Sequence, residues 1–208
     1  MLCVLLAPPA QGHRLDEYLQ ACLVTLERNR VQIELDLTPG VAVLPLVMSA
    51  IDTDGDGMLS QAERDAYASQ VLRDLSLSVD GQRIPARLIS SIYPSLPELQ
   101  AGLGTIRLEI AWDLSSLNLD ATRHLRLENR HQRRTSVYLI NSLVPTDPAI
   151  RILNQSRNEL QSVYSLDYQA GPSTSSWTDV QVLTAGVALL LLGRLTFLGF
   201  QANQRRHK

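Results

Sequence analysis

The stretch "RVQIELDLT", from Arg30 to Thr38, alternates without a break: Val31, Ile33, Leu35 and Leu37 are apolar, while Gln32, Glu34, Asp36 and Thr38 are polar. Successive side chains of a strand point to opposite sides, so a period of two predicts a strand with one face buried and one in water. The preceding "LQACLVTLE" can pair back onto it through a tight turn at Arg28 and Asn29. Downstream, "LSLSVDGQRIPARLI" carries an Asp80-Gly81 hairpin signal, and "TIRLEIAWDL", "HLRLENRH", "TSVYLINSLV", "AIRILNQS" and "LQSVYSLDY" follow as short runs between turn residues. About eight or nine such strands predict a mainly β chain folded as an antiparallel β-sandwich. Pro94 to Gly104 reads as an irregular connection within it.

Two predicted helices interrupt the strands as an insert over residues 41–73. "GVAVLPLVMSAI" can form a short entering helix, limited at its start by Pro45. "SQAERDAYASQVLRDL" predicts a better one from Ser60 to Leu72, with Tyr67, Val71 and Leu72 at helical spacing. Between them lies "DTDGDGMLSQAE", Asp52 to Glu63. A calcium ion takes six to eight oxygens, and the EF-hand loop supplies them from alternate side chains, a backbone carbonyl and a closing bidentate glutamate. Here Asp52, Asp54 and Asp56 fill the first, third and fifth places, and Gly57 allows the turn at the sixth. Met58 offers its carbonyl at the seventh, Leu59 is the apolar anchor, Ser60 sits at the water-mediated ninth and Glu63 closes the twelfth. The same letters have a metal-free meaning, because Ser60 and Glu63 also form a capping box that starts a helix unaided. A cap alone does not account for Asp52, Asp54, Asp56 and Gly57 in register with Glu63, and four carboxylates in one loop repel one another without a cation. Calcium is therefore the expected cofactor.

The ends of the chain point to a membrane. From Val180 to Phe200, "VQVLTAGVALLLLGRLTFLGF" holds a single charge, Arg194. At about 1.5 Å per residue a helix of that length crosses a hydrocarbon core of about 30 Å. A buried soluble helix is the alternative, but Trp177 before the run and "RRHK" at Arg205 to Lys208 after it suit the two faces of a bilayer. The reading is thus one transmembrane helix over 180–200, a cytoplasmic basic tail over 201–208, and an extracytoplasmic domain over 13–168 joined by a linker over 169–179. Arg194 lies toward the cytoplasmic end, where it can snorkel or meet a partner helix. "MLCVLLAPPAQG", residues 1–12, reads as a remnant signal peptide without its basic segment, with a hydrophobic strand as the alternative. Cleavage after Gly12 would remove Cys3 and leave Cys22 with no disulfide partner.

Composition narrows the partners. Lys and Arg number 19 against 21 Asp and Glu, and only 5% of residues are aromatic, so neither a basic patch nor a stacking platform for nucleic acid is expected. His13, His124 and His131 could in principle share a transition metal, but no His-x-x-His or Cys-x-x-Cys spacing supports it. There is no Gly-x-Ser-x-Gly elbow, phosphate-binding glycine loop or His-Glu-x-x-His, and no enzyme activity is expected.

"HRLDEYLQA" from His13, the acidic loop, "LENRH" from Leu127 and "SVYLINSLVP" from Ser136 resemble the extracytoplasmic N-terminal region of bacterial HupE/UreJ-related membrane proteins. The resemblance covers roughly residues 13 to 170 and implies an extracytoplasmic location. Those relatives are polytopic and associated with nickel or cobalt uptake, whereas a single helix does not supply the path that transport needs. Two functions are then expected. The first is a membrane-anchored, extracytoplasmic calcium-binding domain in which the ion is structural and the β-sandwich is offered for interaction. The alternative is an accessory subunit of a nickel or cobalt uptake or metalloenzyme maturation system, docked on a polytopic membrane partner. Either way the bilayer is met through residues 180–200.

Overall fold

The computed structural model describes residues 16–114 and 121–171. Among them the elements follow in the order β1 Tyr18–Leu26, β2 Arg30–Pro39, α1 Leu44–Ile51, α2 Gln61–Asp74, β3 Leu75–Val79, β4 Gln82–Ile84, β5 Arg87–Ile92, α3 Leu96–Gln100, β6 Ile106–Asp113, β7 Thr122–Asn129, β8 Ser136–Ser142, β9 Ile150–Arg157 and β10 Val163–Ala170. The strands form two five-stranded sheets, one in the order β5-β6-β2-β1-β8 and the other β4-β3-β7-β10-β9. Val31, Ile33, Leu35 and Leu37 are all 0% exposed, so the alternation in β2 does set its inner face. They share one hydrophobic cluster with Leu77, Leu125, Leu127, Tyr164 and Leu166 of the other sheet.

Both predicted hairpins form. Leu26 pairs with Val31, and the Glu27 amide donates to the Arg30 carbonyl at 2.9 Å across the turn. Asp80 and Gly81 have φ of 52° and 79°, and β3 pairs with β4 on either side of them. A two-residue turn with both φ positive matches the twist of the strands it joins, and Asp-Gly tolerates that backbone.

Three expectations need correction. The sandwich is not wholly antiparallel, because β1 and β8 run parallel from Tyr18 opposite Ser136 to Val24 opposite Ser142. β7 belongs to the other sheet, and its short crossing at residues 130–135 delivers β8 to the end where β1 also begins, so the two share a direction. The connection at Pro94 to Gly104 contains α3, whose first turn is satisfied by Ser95 and Glu98: the carboxylate accepts from the Ser95 amide at 2.8 Å and its hydroxyl at 2.7 Å. Gln169 and Ala170, expected in the linker, pair with Arg151 and Ile150, and the compact unit ends at Gly171.

No helix of the described residues is long and apolar enough to cross a membrane. The predicted signal peptide, the transmembrane segment 180–200, the basic tail and the linker beyond Gly171 lie outside them, as does His13. Within the domain, the insert and the acidic loop occupy the end where β2 stops and β3 starts. Gly171 lies at the opposite end, where its carbonyl accepts from Arg28 at 2.9 Å beside the first hairpin turn.

Candidate metal centre

The acidic loop is fixed from both sides by apolar residues. Ile51, the last residue of α1, is 0% exposed, and Leu59 packs against the core as the anchor position predicts. Between them the chain reverses through Gly55 and Gly57, whose φ values are 73° and 78°. At Gly57 a Cβ would meet nothing within 4 Å, so the demand for glycine comes from the backbone alone.

The carboxylates organise the loop's amides. Asp52 accepts from Gly55 at 2.8 Å with one oxygen and from Gly57 at 3.0 Å with the other, which folds the loop back on its first residue. Asp54 accepts from the Asp56 amide at 3.2 Å, and Asp56 from the Met58 amide at 2.7 Å. Glu63 reaches furthest: its Oε1 accepts from the Thr53 amide at 2.7 Å, and its Oε2 from the Ser60 amide at 3.0 Å and the Ser60 hydroxyl at 2.8 Å. Ser60 in turn accepts from the Glu63 amide at 3.3 Å, completing the capping box. Glu63 is only 7% exposed, and hydrogen bonds from the Ser60 hydroxyl, then from backbone amides at Ser60 and Thr53, lower its pKa to about 2 despite partial desolvation.

Oxygens of Asp52, Asp54 and Glu63 lie within 4.8 Å of one another. Two oxygens at about 2.3–2.6 Å from one calcium ion are at most about 5 Å apart, so this spacing fits a shared hard cation. Asp56, the remaining carboxylate of the predicted set, is not part of that convergence, which concerns acidic side chains and not the Met58 carbonyl or the Ser60 hydroxyl. Asp56 is exposed with an oxygen on the Met58 amide, Met58 is 70% exposed, and the Ser60 hydroxyl serves the helix cap. Among the described residues no basic side chain forms an ion pair with Asp52, Asp54, Asp56 or Glu63. Arg64, the nearest in sequence, donates to the Leu59 carbonyl at 2.9 Å and lies over the Tyr93 ring.

The two candidate histidines among the described residues do not converge. His124 is on the water-facing side of β7, with Nδ1 at 2.7 Å from Asp167, whereas His131 is 0% exposed at the loop end of the domain. Around His131 the fold assembles a polar group that motif reading missed. Its Nδ1 is 2.8 Å from Asp74 and its Nε2 is 3.0 Å from the Tyr67 hydroxyl, which is 2.7 Å from the Tyr18 hydroxyl. Its carbonyl accepts from Gln20 at 3.0 Å and Tyr138 at 2.8 Å, and its amide donates to Asn129 at 2.9 Å. Asn129 donates to Gln20 at 2.8 Å and closes the ring of contacts. One signal was present in the sequence: Gln20 shares the inward phase of Tyr18, Cys22 and Val24, where an apolar residue is the rule. Cys22 itself is buried, and desolvation pushes its thiol up to about 12.

No family model matches the chain, and no curated protein matches it, so its functional reading rests on sequence and geometry.

Proposed function

We propose that this chain is a membrane-anchored calcium-binding β domain, extracytoplasmic, in which the ion has a structural role. The observation that carries the proposal is the convergence of Asp52, Asp54 and Glu63 within 4.8 Å in a loop that reverses at Gly57. The donor set is hard oxygen, no basic side chain among the described residues pairs with it, and carboxylate pairs of this kind favour a divalent cation over mutual repulsion. When bound, calcium would supply a cross-link between the start of the loop and the first turn of α2. Asp52 and Asp54 would hold it from one side and Glu63 from the other, with Asp56, the Met58 carbonyl and Ser60 as the further ligands the loop pattern assigns. The chain's own part is to present these groups on a backbone already turned by its glycines and anchored at Ile51 and Leu59. The membrane anchor rests on the apolar segment 180–200 and the basic residues after it.

Thermal melts of the full chain in detergent, with calcium and with a chelator, test the ion. At free calcium about 100-fold above the dissociation constant, the native state gains about 2.7 kcal/mol. Identical midpoints would remove the calcium reading. Protease added to intact spheroplasts tests the location, and should digest residues 13–171 while sparing the tail. A protected domain with an accessible tail would reverse the orientation.

A further inference from the structure

The contacts of His131 have only one consistent direction when its ring is neutral. A carboxylate accepts, so Nδ1 carries the proton toward Asp74; Nε2 is then an acceptor for the Tyr67 hydroxyl, and the Tyr67 oxygen accepts from Tyr18. Every member is satisfied: Tyr18 donates to Tyr67, Tyr67 to His131, and His131 to Asp74. A second proton on the ring reverses this order. Nε2 becomes a donor to the Tyr67 oxygen, and with only each other's oxygens to accept, one of the two tyrosine O–H groups is left without an acceptor. Tyr18 is 0% and Tyr67 1% exposed, so water does not replace the lost partner.

The relay also has a mechanical position. Tyr67 and Asp74 belong to α2, Tyr18 to β1, and His131 to the crossing between β7 and β8. Glu63, Tyr67 and Val71 lie at intervals of four along the buried side of α2, so the hydroxyl that meets His131 is one turn from the carboxylate that closes the acidic loop. We propose that His131 is a proton-operated latch: its neutral ring docks α2 on the sandwich, and its protonation releases the helix and with it the acidic loop.

The groups facing His131 set the sign. Asp74 from α2 favours the charged ring, but burial opposes it more strongly and the imidazole pKa lies below its ordinary value of 6.5. The remaining neighbours stay neutral: burial raises the pKa of Tyr18 from β1, of Tyr67 from α2, of Tyr138 from β8, and of Tyr93, which lies close enough to Tyr18 and Tyr67 to act on both. Arg133 acts on Tyr138 and Arg64 on Tyr93, each lowering the tyrosine pKa against the larger effect of burial, while the Arg130 amide donates to the Asp74 carbonyl at 3.0 Å.

Hydrogen exchange of the full chain from pH 7.5 to 5.0, corrected for the intrinsic pH dependence of exchange, reads the latch directly. Amides of residues 61–74 should lose protection by at least about tenfold over that range while those of β2 and β6 keep theirs. The same amides in His131→Gln, which cannot titrate, should show a flat profile. Flat protection in the wild type, or an undiminished fall in His131→Gln, would overturn the latch. Should the variant not fold, the imidazole titration of wild-type His131 by NMR decides: a midpoint below 6.5 that coincides with the loss of protection supports it, and a midpoint at or above 6.5 refutes it. A consequence for calcium rests on the calcium-binding reading and is measured separately, as affinity at pH 7.5 and 5.0. Absence of binding at pH 7.5 would count against that reading and leave the exchange result to judge the latch.

Discussion

Where α2 begins, the hydrogen bonds that the loop carboxylates accept close within ten residues of chain and the aspartates lie at the surface; one turn later Tyr67 enters a buried relay whose partners are 49 and 64 residues away. The two regions use similar chemistry, carboxylates and hydroxyls meeting donors at ordinary distances. They differ in what replaces a lost partner. At the loop's exposed aspartates, Asp54 and Asp56, water can do so, and the cost is small; in the relay nothing can, and a removed group leaves another orphaned in low dielectric.

The contrast is broken or sharpened most strongly at His131. His131→Leu removes both ring nitrogens and strands the Tyr67 hydroxyl, so urea denaturation should show a loss of about 2–4 kcal/mol. A loss below about 1 kcal/mol would erase the distinction between the two regions. Acid separates them next, in different windows for the metal-free protein. The folded imidazole titrates below 6.5, so the unfolded chain takes up that proton first: the stability it lends is full above pH 6.5 and declines as pH falls beneath it. The Glu63 carboxyl, at about 2 against an ordinary 4.5, contributes stability that is full above pH 4.5 and is lost only as pH falls from there toward 2. Denaturation midpoints measured through both ranges should therefore decline in two stages, and His131→Gln should lack the first.

Smaller effects are expected within the loop. Glu63→Gln keeps the cap on α2 and removes the charged bidentate oxygen pair, so calcium affinity should fall at least about tenfold by titration calorimetry while the far-UV spectrum is unchanged. Unaltered affinity would assign Glu63 to helix capping alone. Gly57→Ala forces a side chain onto φ of 78° with no clash to add to it, and should cost about 1 kcal/mol in chelator. Asp56→Asn, at an exposed position whose amide contact asparagine can also accept, should change metal-free stability by less than about 0.5 kcal/mol.

Residues that act on near neighbours were legible in the sequence. The period of two in Arg30–Thr38 determined which side chains of β2 are buried, because pleating is a property of the strand itself. Asp80-Gly81 determined a hairpin, and Ser60 with Glu63 a helix start, since each works through backbone groups a few residues away. The acidic loop belongs to the same class, with glycines that supply the positive φ and aspartates that bond amides two to five positions on. Beyond the two hairpins, tertiary structure alone decided which strands became neighbours. Alternation marks a strand's two faces but carries no record of the partner along its edges, so the parallel pairing of β1 with β8 was not visible. The burial of His131 was hidden for a related reason. "LENRH" reads as the polar end of a strand, and only the arrival of Tyr67 and Asp74 on α2 and Tyr18 on β1 around the ring, and of Gln20 on β1 and Tyr138 on β8 at the carbonyl, supplies the partners that let His131 leave water. Such partners are drawn from three separate segments, and their proximity is a consequence of how the sheets pack.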